Sequence, residues 1–178
     1  MPGALLMKNS SACYFDTFSS PLGSMVAVAD DEYILALMFE DQWEHDQKNY
    51  PGSVPKKTAL HQLLKKQLKE YFQGNRFEFD VPVQLHGTDF QRKVWNSLKK
   101  IPYGQVMTYS QQALQIKKPK AVRASARANG ANPVCILFPC HRVVGKDGSL
   151  TGYAGGLHRK DFLLKLEQKN SEKRGLRK

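Results

Sequence analysis

Cys140 and His141 lie side by side in the run Pro139-Cys140-His141-Arg142-Val143. Cysteine attacks as its thiolate, and a nearby imidazole is a usual way to make thiolate near neutral pH. The pair is therefore a candidate for nucleophilic chemistry. It closes an apolar stretch, Val134-Cys135-Ile136-Leu137-Phe138, that predicts a short buried strand. Neighbours on a strand point to opposite faces, so a straight strand would keep thiol and imidazole apart. Pro139 removes a ladder donor and marks a strand end. A bend or a bridging water would let the two groups communicate. The bland alternative is a structural cysteine beside a surface histidine.

The elements that position this pair are legible upstream. Phe90, Val94, Leu98 and Ile101 form one helical stripe, with Thr88 or Asp89 as N-cap, and Pro102-Tyr103-Gly104 ends it. Residues 108–116 predict a second short helix and residues 121–128 a third, joined by the basic turn Lys117-Lys118-Pro119-Lys120. Two short helices and a tight turn suggest a helix-turn-helix, although helical hairpins share that pattern. Ala121, Ala124 and Ser125 are small, so the third helix can lie close to another backbone. Arg123 and Arg127 are four apart and share a face. Asn129-Gly130-Ala131-Asn132-Pro133 should end this helix, with Gly130 at positive φ and Asn132 bonded to the turn's backbone.

The first half predicts strands at 24–29 and 33–39 about the turn Asp30-Asp31-Glu32. Leu60, Leu63, Leu64, Leu68, Tyr71 and Phe72 predict a helix over 59–72, stopped by Gly74. Phe77, Phe79, Val81, Val83 and Leu85 alternate as in a half-buried strand, with Pro82 favouring an edge. The expected fold is α/β (α+β). An N-terminal α/β domain at 1–88 precedes a helical, winged-helix-like domain at 89–170 with a cysteine-bearing loop. A basic tail, 171–178, is expected to be disordered.

The 178 residues are 41% hydrophobic, and no apolar stretch approaches the ~20 residues that span a bilayer. The start lacks the apolar region of a secretory signal. Cys13, Cys135 and Cys140 are too few for a disulfide framework, which points to a reducing, cytoplasmic setting. Charge is unevenly divided. Residues 1–88 carry 8 Lys and Arg against 11 Asp and Glu, a net −3, whereas residues 89–178 carry 19 against 5, a net +14. That asymmetry favours a polyanionic partner, nucleic acid first.

Taken with Tyr103-Gly104-Gln105-Val106-Met107-Thr108-Tyr109, Asn132-Pro133, Gly152-Tyr153-Ala154-Gly155-Gly156 and the segment 160–167, the Cys140 motif resembles the O6-alkylguanine-DNA alkyltransferases. The likeness runs in order over residues 89–168 and is faint before them, where Ser20-Pro21-Leu22-Gly23 is its main trace. It implies transfer of an alkyl group from O6 of guanine in double-stranded DNA to the protein's own cysteine, with O4-alkylthymine a candidate second lesion. The base would be flipped from the stack, and the protein would be spent after one reaction. It implies Cys140 as nucleophile and His141 as its activator through a water. Glu167 would orient the imidazole, and Asn132 would brace the turn. Tyr109, the Val143 carbonyl, Tyr153 and the Ala154 amide would form the guanine pocket. Arg123 would fill the vacated stack from the minor groove, with Ala121, Ala124, Ser125 and Arg127 also facing DNA.

No cofactor is implied, and the protein is expected to act as a monomer, in the nucleus if the source is eukaryotic. Some relatives bind zinc in the first half through Cys and His. Here Cys13, His45, His61 and His86 are scattered, so no metal is expected. Two other readings remain open: a DNA-binding regulator without chemistry, and a Cys-His hydrolase forming an acyl-enzyme.

Overall fold

Two uninterrupted apolar runs, 25–29 and 34–39, organise the first half, and every residue in them is buried. Runs of that kind need cover on both faces. In the computed structural model, which describes residues 12–175, they lie in β2 (Gly23–Ala29) and β3 (Ile34–Phe39), an antiparallel pair. A strand that the sequence did not predict, β1 (Tyr14–Ser20), pairs with the whole of β2. The two-residue β4 (Val54–Pro55) lies parallel outside β1, giving the order β3-β2-β1-β4. One cover is aromatic. Phe15, Tyr33, Trp43 and Tyr50 pack on Cys13, Val28, Leu35, Ala36 and Met38, with Trp43 carried by α1 (Glu40–Asp46).

The other main helix of this unit, α2 (Ala59–Phe72), packs against β1 and β2 and buries His61, Leu64, Gln67, Leu68 and Tyr71. The stripe is rotated from its expected phase, so Leu63 is 39% exposed while His61 is fully buried. The histidine is satisfied there. Its Nδ1 accepts from the Thr58 amide (3.1 Å), so Nε2 carries the proton and donates to the Ala27 carbonyl (3.1 Å). The strand expected over 77–85 is not formed. Only Val83 bridges Ile34, because Pro82 has no amide to extend the ladder. The Pro82 carbonyl accepts from Ile34 instead.

The described residues divide into two compact units between Gly87 and Thr88. The second unit opens with α3 (Asp89–Leu98), then β5 (Met107–Thr108), α4 (Tyr109–Gln115) and α5 (Val122–Gly130). Thr88 with Gln91 and Thr108 with Gln111 form reciprocal caps at α3 and α4. Phe90, Val94, Ile116 and Ala128 make the small core between these helices. A buried polar clasp adds specificity. The Gln112 amide donates to Asn129 Oδ1 (3.2 Å) and Ser97 Oγ (3.0 Å), and Asn129 Nδ2 donates to Gln112 Oε1 (2.7 Å). α5 ends within the expected run, at Gly130, but that glycine keeps a helical φ instead of the expected positive one.

The predicted strand over 134–138 is a tight turn. The Phe138 amide donates to the Val134 carbonyl and Leu137 to Cys135, while Ile136 sits at φ +67°. All five side chains are buried, as their composition demanded, but an apolar run does not distinguish a strand from a coiled turn. The only sheet in this unit, among the described residues, is the two-residue parallel pair of β5 with β6 (Val143–Val144). α6 (Leu157–Lys173) closes the unit with a buried stripe of Lys160, Leu163, Glu167 and Ser171. The tail therefore does not begin at 171: Ser171 is buried and helical, and residues 176–178 lie outside the described residues. Among the described residues no helix is long and apolar enough to cross a membrane.

Gly130 has open space where a Cβ would stand. Gly130→Ala should therefore raise stability by roughly 0.5–1 kcal/mol, through the lower backbone entropy of the unfolded chain. Urea denaturation measures it, and a lower midpoint would show that the residue needs a non-helical conformation.

Candidate active site

The nucleophile candidate stands on a short 3-10 turn, Cys140–Arg142, that leads directly into β6. Residues in such a turn are about 120° apart, so Cys140, His141 and Arg142 project in three directions. The His141 backbone amide faces the Cys140 sulfur, whereas the His141 ring turns to Glu167. The imidazole is fully buried, and its Nε2 lies 2.7 Å from Glu167 Oε1. Arg142 grips the same carboxylate by both oxygens, Nε to Oε2 at 2.8 Å and Nη2 to Oε1 at 3.0 Å. The Gly104 amide adds a fourth donor at 3.0 Å. Gly104 is at φ +76°, and any Cβ there would collide with the Ser171 side chain. Arg142 is itself fixed by the Ile101 carbonyl at 2.6 Å.

These contacts set the protonation states. Burial opposes ionisation of Glu167, but the charges and hydrogen bonds of His141 and Arg142 outweigh it and hold the carboxyl well below its usual range. Burial lowers the His141 pKa despite Glu167, and the cations Arg142 and Lys160 lower it further. We assign the Glu167 ionisation to Arg142, which stays charged at any relevant pH. His141 is then neutral, donates Nε2–H to the carboxylate, and keeps a lone pair on Nδ1. That atom is buried with no hydrogen-bond partner among the described residues.

Cys140 is buried, which raises its thiol pKa, while the Asn132 amide and the Lys160 charge pull it back. Asn132 Nδ2 donates to Cys140 Sγ at 3.2 Å and to the Phe138 carbonyl at 2.8 Å, and its Oδ1 accepts from the Val134 amide. One side chain thus staples the end of α5, the apolar turn and the thiol. Lys160 is fully buried and donates to the carbonyls of Val143 (2.5 Å) and Thr151 (3.0 Å). Its ammonium stands 5.8 Å above the Tyr109 ring. The Tyr109 hydroxyl donates to the Thr151 carbonyl at 2.8 Å. Tyr153 has a buried hydroxyl with no hydrogen-bond partner among the described residues, and burial pushes its phenol well up. Ala154 is exposed next to it.

Cys140, His141, Glu167 and Asn132 are therefore brought together. Tyr109 and Val143 are tied to the same assembly through Thr151 and Lys160. Arg123, Ala124 and Arg127 form an exposed face of α5, and Ala121 is half-buried before it. Ser125 is the correction. It was expected to face DNA, yet it is fully buried, because position 125 lies on the side of α5 that also buries Ala128 and Asn129. Sequence reasoning missed Arg142, Lys160 and Gly104 as parts of the site. The signal existed for Lys160, since 160, 163, 167 and 171 share one helical face, and two charges on that face need buried partners.

Both units match one family. The description "6-O-methylguanine DNA methyltransferase, DNA binding domain" fits residues 89–169, and the companion "ribonuclease-like domain" fits residues 13–85. The chain belongs to the 6-O-methylguanine DNA methyltransferase family. It is 43% identical over 155 residues to a methylated-DNA–protein-cysteine methyltransferase of Methanosarcina acetivorans, covering 86% of this chain and 97% of that protein. It is 49% identical over 134 residues to the inducible protein of that name from Bacillus subtilis, covering 74% of each. The crystal structure of Mycobacterium tuberculosis OGT in complex with DNA superposes with a TM-score of 0.81 at 40% identity, over 88% of this chain and 94% of that one.

The protonation scheme predicts the pH behaviour. The folded His141 pKa lies below its ordinary 6.5, so the unfolded chain binds the extra proton first. Stability conferred by neutral His141 should be complete above pH 6.5 and decline as pH falls below it. Cys140 alkylation by a small electrophile should slow only at lower pH, where folded His141 itself takes up the proton. A urea midpoint that stays flat from pH 7 to pH 5 would contradict a neutral His141 in the folded protein.

Proposed function

We propose that this protein repairs O6-alkylguanine in double-stranded DNA by moving the alkyl group onto Cys140, once per molecule. The observation that carries the reading is the buried Arg142–Glu167–His141 relay behind Cys140, in a chain of this family. Glu167, kept ionised by Arg142, accepts Nε2–H from His141. Nδ1 is left to take the Cys140 proton, through a water that has polar partners on both sides. Sγ then attacks the alkyl carbon. The C–O6 bond breaks, its electron pair stays on guanine, and the base takes up a proton. The product thioether has no leaving group that a further step could use, so the molecule is not regenerated. The damaged base is the alkyl donor, and the scheme needs no cofactor.

Recognition follows from the same residues. Tyr109 would release the Thr151 carbonyl and donate to guanine N3. The Val143 carbonyl has a second lone pair beside the one taken by Lys160, which can read the exocyclic amine. The Ala154 amide would meet O6, and Tyr153 would wall the pocket. Exposed Arg123 would enter the stack when the base leaves it, from the minor groove, a cationic form of the wedges used there. Arg127 and Ala124 lie on the same exposed face of α5, and Ala121 precedes it with no side-chain cap on its first amides, which suits phosphate. One chain holds the whole relay, so a monomer suffices. A DNA substrate places the protein with the chromosome, in the cytoplasm of a prokaryote or the nucleus of a eukaryote.

Incubation with duplex DNA containing O6-methylguanine should add one methyl to the protein, on the peptide bearing Cys140. Cys140→Ala should keep lesion binding and gain no mass. A methyl mapped to Cys13 or Cys135, or none at all, would overturn the reading. Mass spectrometry also separates it from a hydrolase or a passive binder.

Arg123→Ala should slow repair of duplex DNA by about tenfold or more, because base extrusion costs a few kcal/mol, while reaction with free O6-benzylguanine is nearly unchanged. Equal slowing of both would assign Arg123 to folding or to the shape of the pocket.

A further inference from the structure

The N-terminal unit holds a cleft that the alkyl-transfer chemistry does not use. It has a volume of about 430 Å³ and lies between α2 and the end of β1. Its floor is apolar, made by Phe18, Pro21, Leu68 and Phe72. Its rim carries Lys65, Lys66 and Lys69, all from α2, and no acidic residue lines it. Among the described residues none of the three lysines forms an ion pair. Lys65 instead lies 5.5 Å above the Phe18 ring. The one nearby acid on α2, Glu70, is taken by Arg76 at 2.7 Å. The opposite rim is the β1–β2 turn, held rigid by Ser20 Oγ between the Gly23 carbonyl (2.7 Å) and the Leu22 amide (3.1 Å).

We infer that this cleft docks an extended acidic peptide segment of a partner protein, with one aromatic or large aliphatic side chain seated on the Phe18–Phe72 floor. Charge complementarity selects the sign, since three uncompensated cations border an apolar floor in a unit that is otherwise net acidic. Spacing selects an extended backbone. Lys65 and Lys69 are one helical turn apart, a rise of ~6 Å. Alternate side chains of an extended chain repeat every ~6.5–7 Å on one side, so acids at i and i+2 meet the two ammonium groups in register. Among the described residues the outer edge of β1 is paired only at Tyr14 and Phe15 with β4, and no strand runs beside its later residues. A cavity of this size takes one large side chain, within the range of ordinary ligand pockets.

The test uses the full-length protein and a fluorescein-labelled octapeptide with aspartates at alternate positions followed by phenylalanine. Saturable anisotropy is expected. Replacing the aspartates by asparagine, or the phenylalanine by glycine, should each weaken binding. Lys65→Gln with Lys69→Gln should weaken it about fivefold to tenfold, the loss expected for two exposed ion pairs, while circular dichroism stays unchanged. Lys66→Gln alone, on an exposed side chain that leaves the floor intact, should give a smaller loss in the same direction. Binding that ignores the lysine changes, or that is equal for the asparagine peptide, would overturn the proposal. So would a single-stranded oligonucleotide of equal charge that binds as tightly with the same lysine dependence, which would make the cleft a nucleic-acid site. Binding seen only after removal of residues 1–11 would assign the cleft to the chain's own start and equally overturn it.

Discussion

A single buried carboxylate organises the reactive half of this protein. Glu167 has no exposure, yet it is held ionised by Arg142, His141 and the Gly104 amide. A buried charge is tolerable only when its hydrogen-bonding capacity is met, and removing one partner of such a pair typically costs about 3–5 kcal/mol. Glu167 therefore fixes three segments at once: the turn before β5, the Cys140–Arg142 turn, and α6. It also sets the chemistry. With Arg142 supplying the permanent positive charge, the imidazole need not carry one, and its proton is directed to Nε2. The lone pair at Nδ1 is a consequence of where the arginine sits.

The segment that presents the thiol is under local conflict. Ile136 is β-branched and stands at φ +67°, a region such residues avoid. It persists because the five side chains of its turn are all buried and because Asn132 ties both ends of the turn. Strain held by surrounding structure is common where a reactive group must be aimed. The short β5–β6 pairing then fixes the exit of the turn against the start of α4, so Cys140 and Tyr109 are referenced to one frame.

Which parts were legible in the sequence follows from the physics of each signal. Helices with a cap and a stripe, such as α3 with Thr88 and Val94, declare themselves locally. So did the Cys140 motif, because its spacing is set by chemistry. The apolar run at 134–138 declared burial but not conformation. β1 went unpredicted because its mixed sequence, Tyr14-Phe15-Asp16-Thr17-Phe18-Ser19-Ser20, is stabilised by pairing with β2 rather than by its own pattern. His61, Lys160 and Ser125 were misread or overlooked for one reason. Polar residues are expected outside, and only tertiary partners, or for Ser125 the phase of its helix, put them inside. Arg142 was visible as part of a motif, but its grip on Glu167 joins residues 25 apart and has no local trace.

The central claim is that His141 is neutral with its proton on Nε2 while Glu167 is ionised. Nitrogen-15 NMR of the histidine rings at pH 7, with His141 assigned by comparison with His141→Gln, tests it directly. The account predicts a pyridine-like, unprotonated Nδ1 and a pyrrole-like Nε2, with Arg142→Gln disturbing that pattern. An imidazolium signal for His141 at pH 7, or a proton on Nδ1 in the unmodified protein, would contradict it.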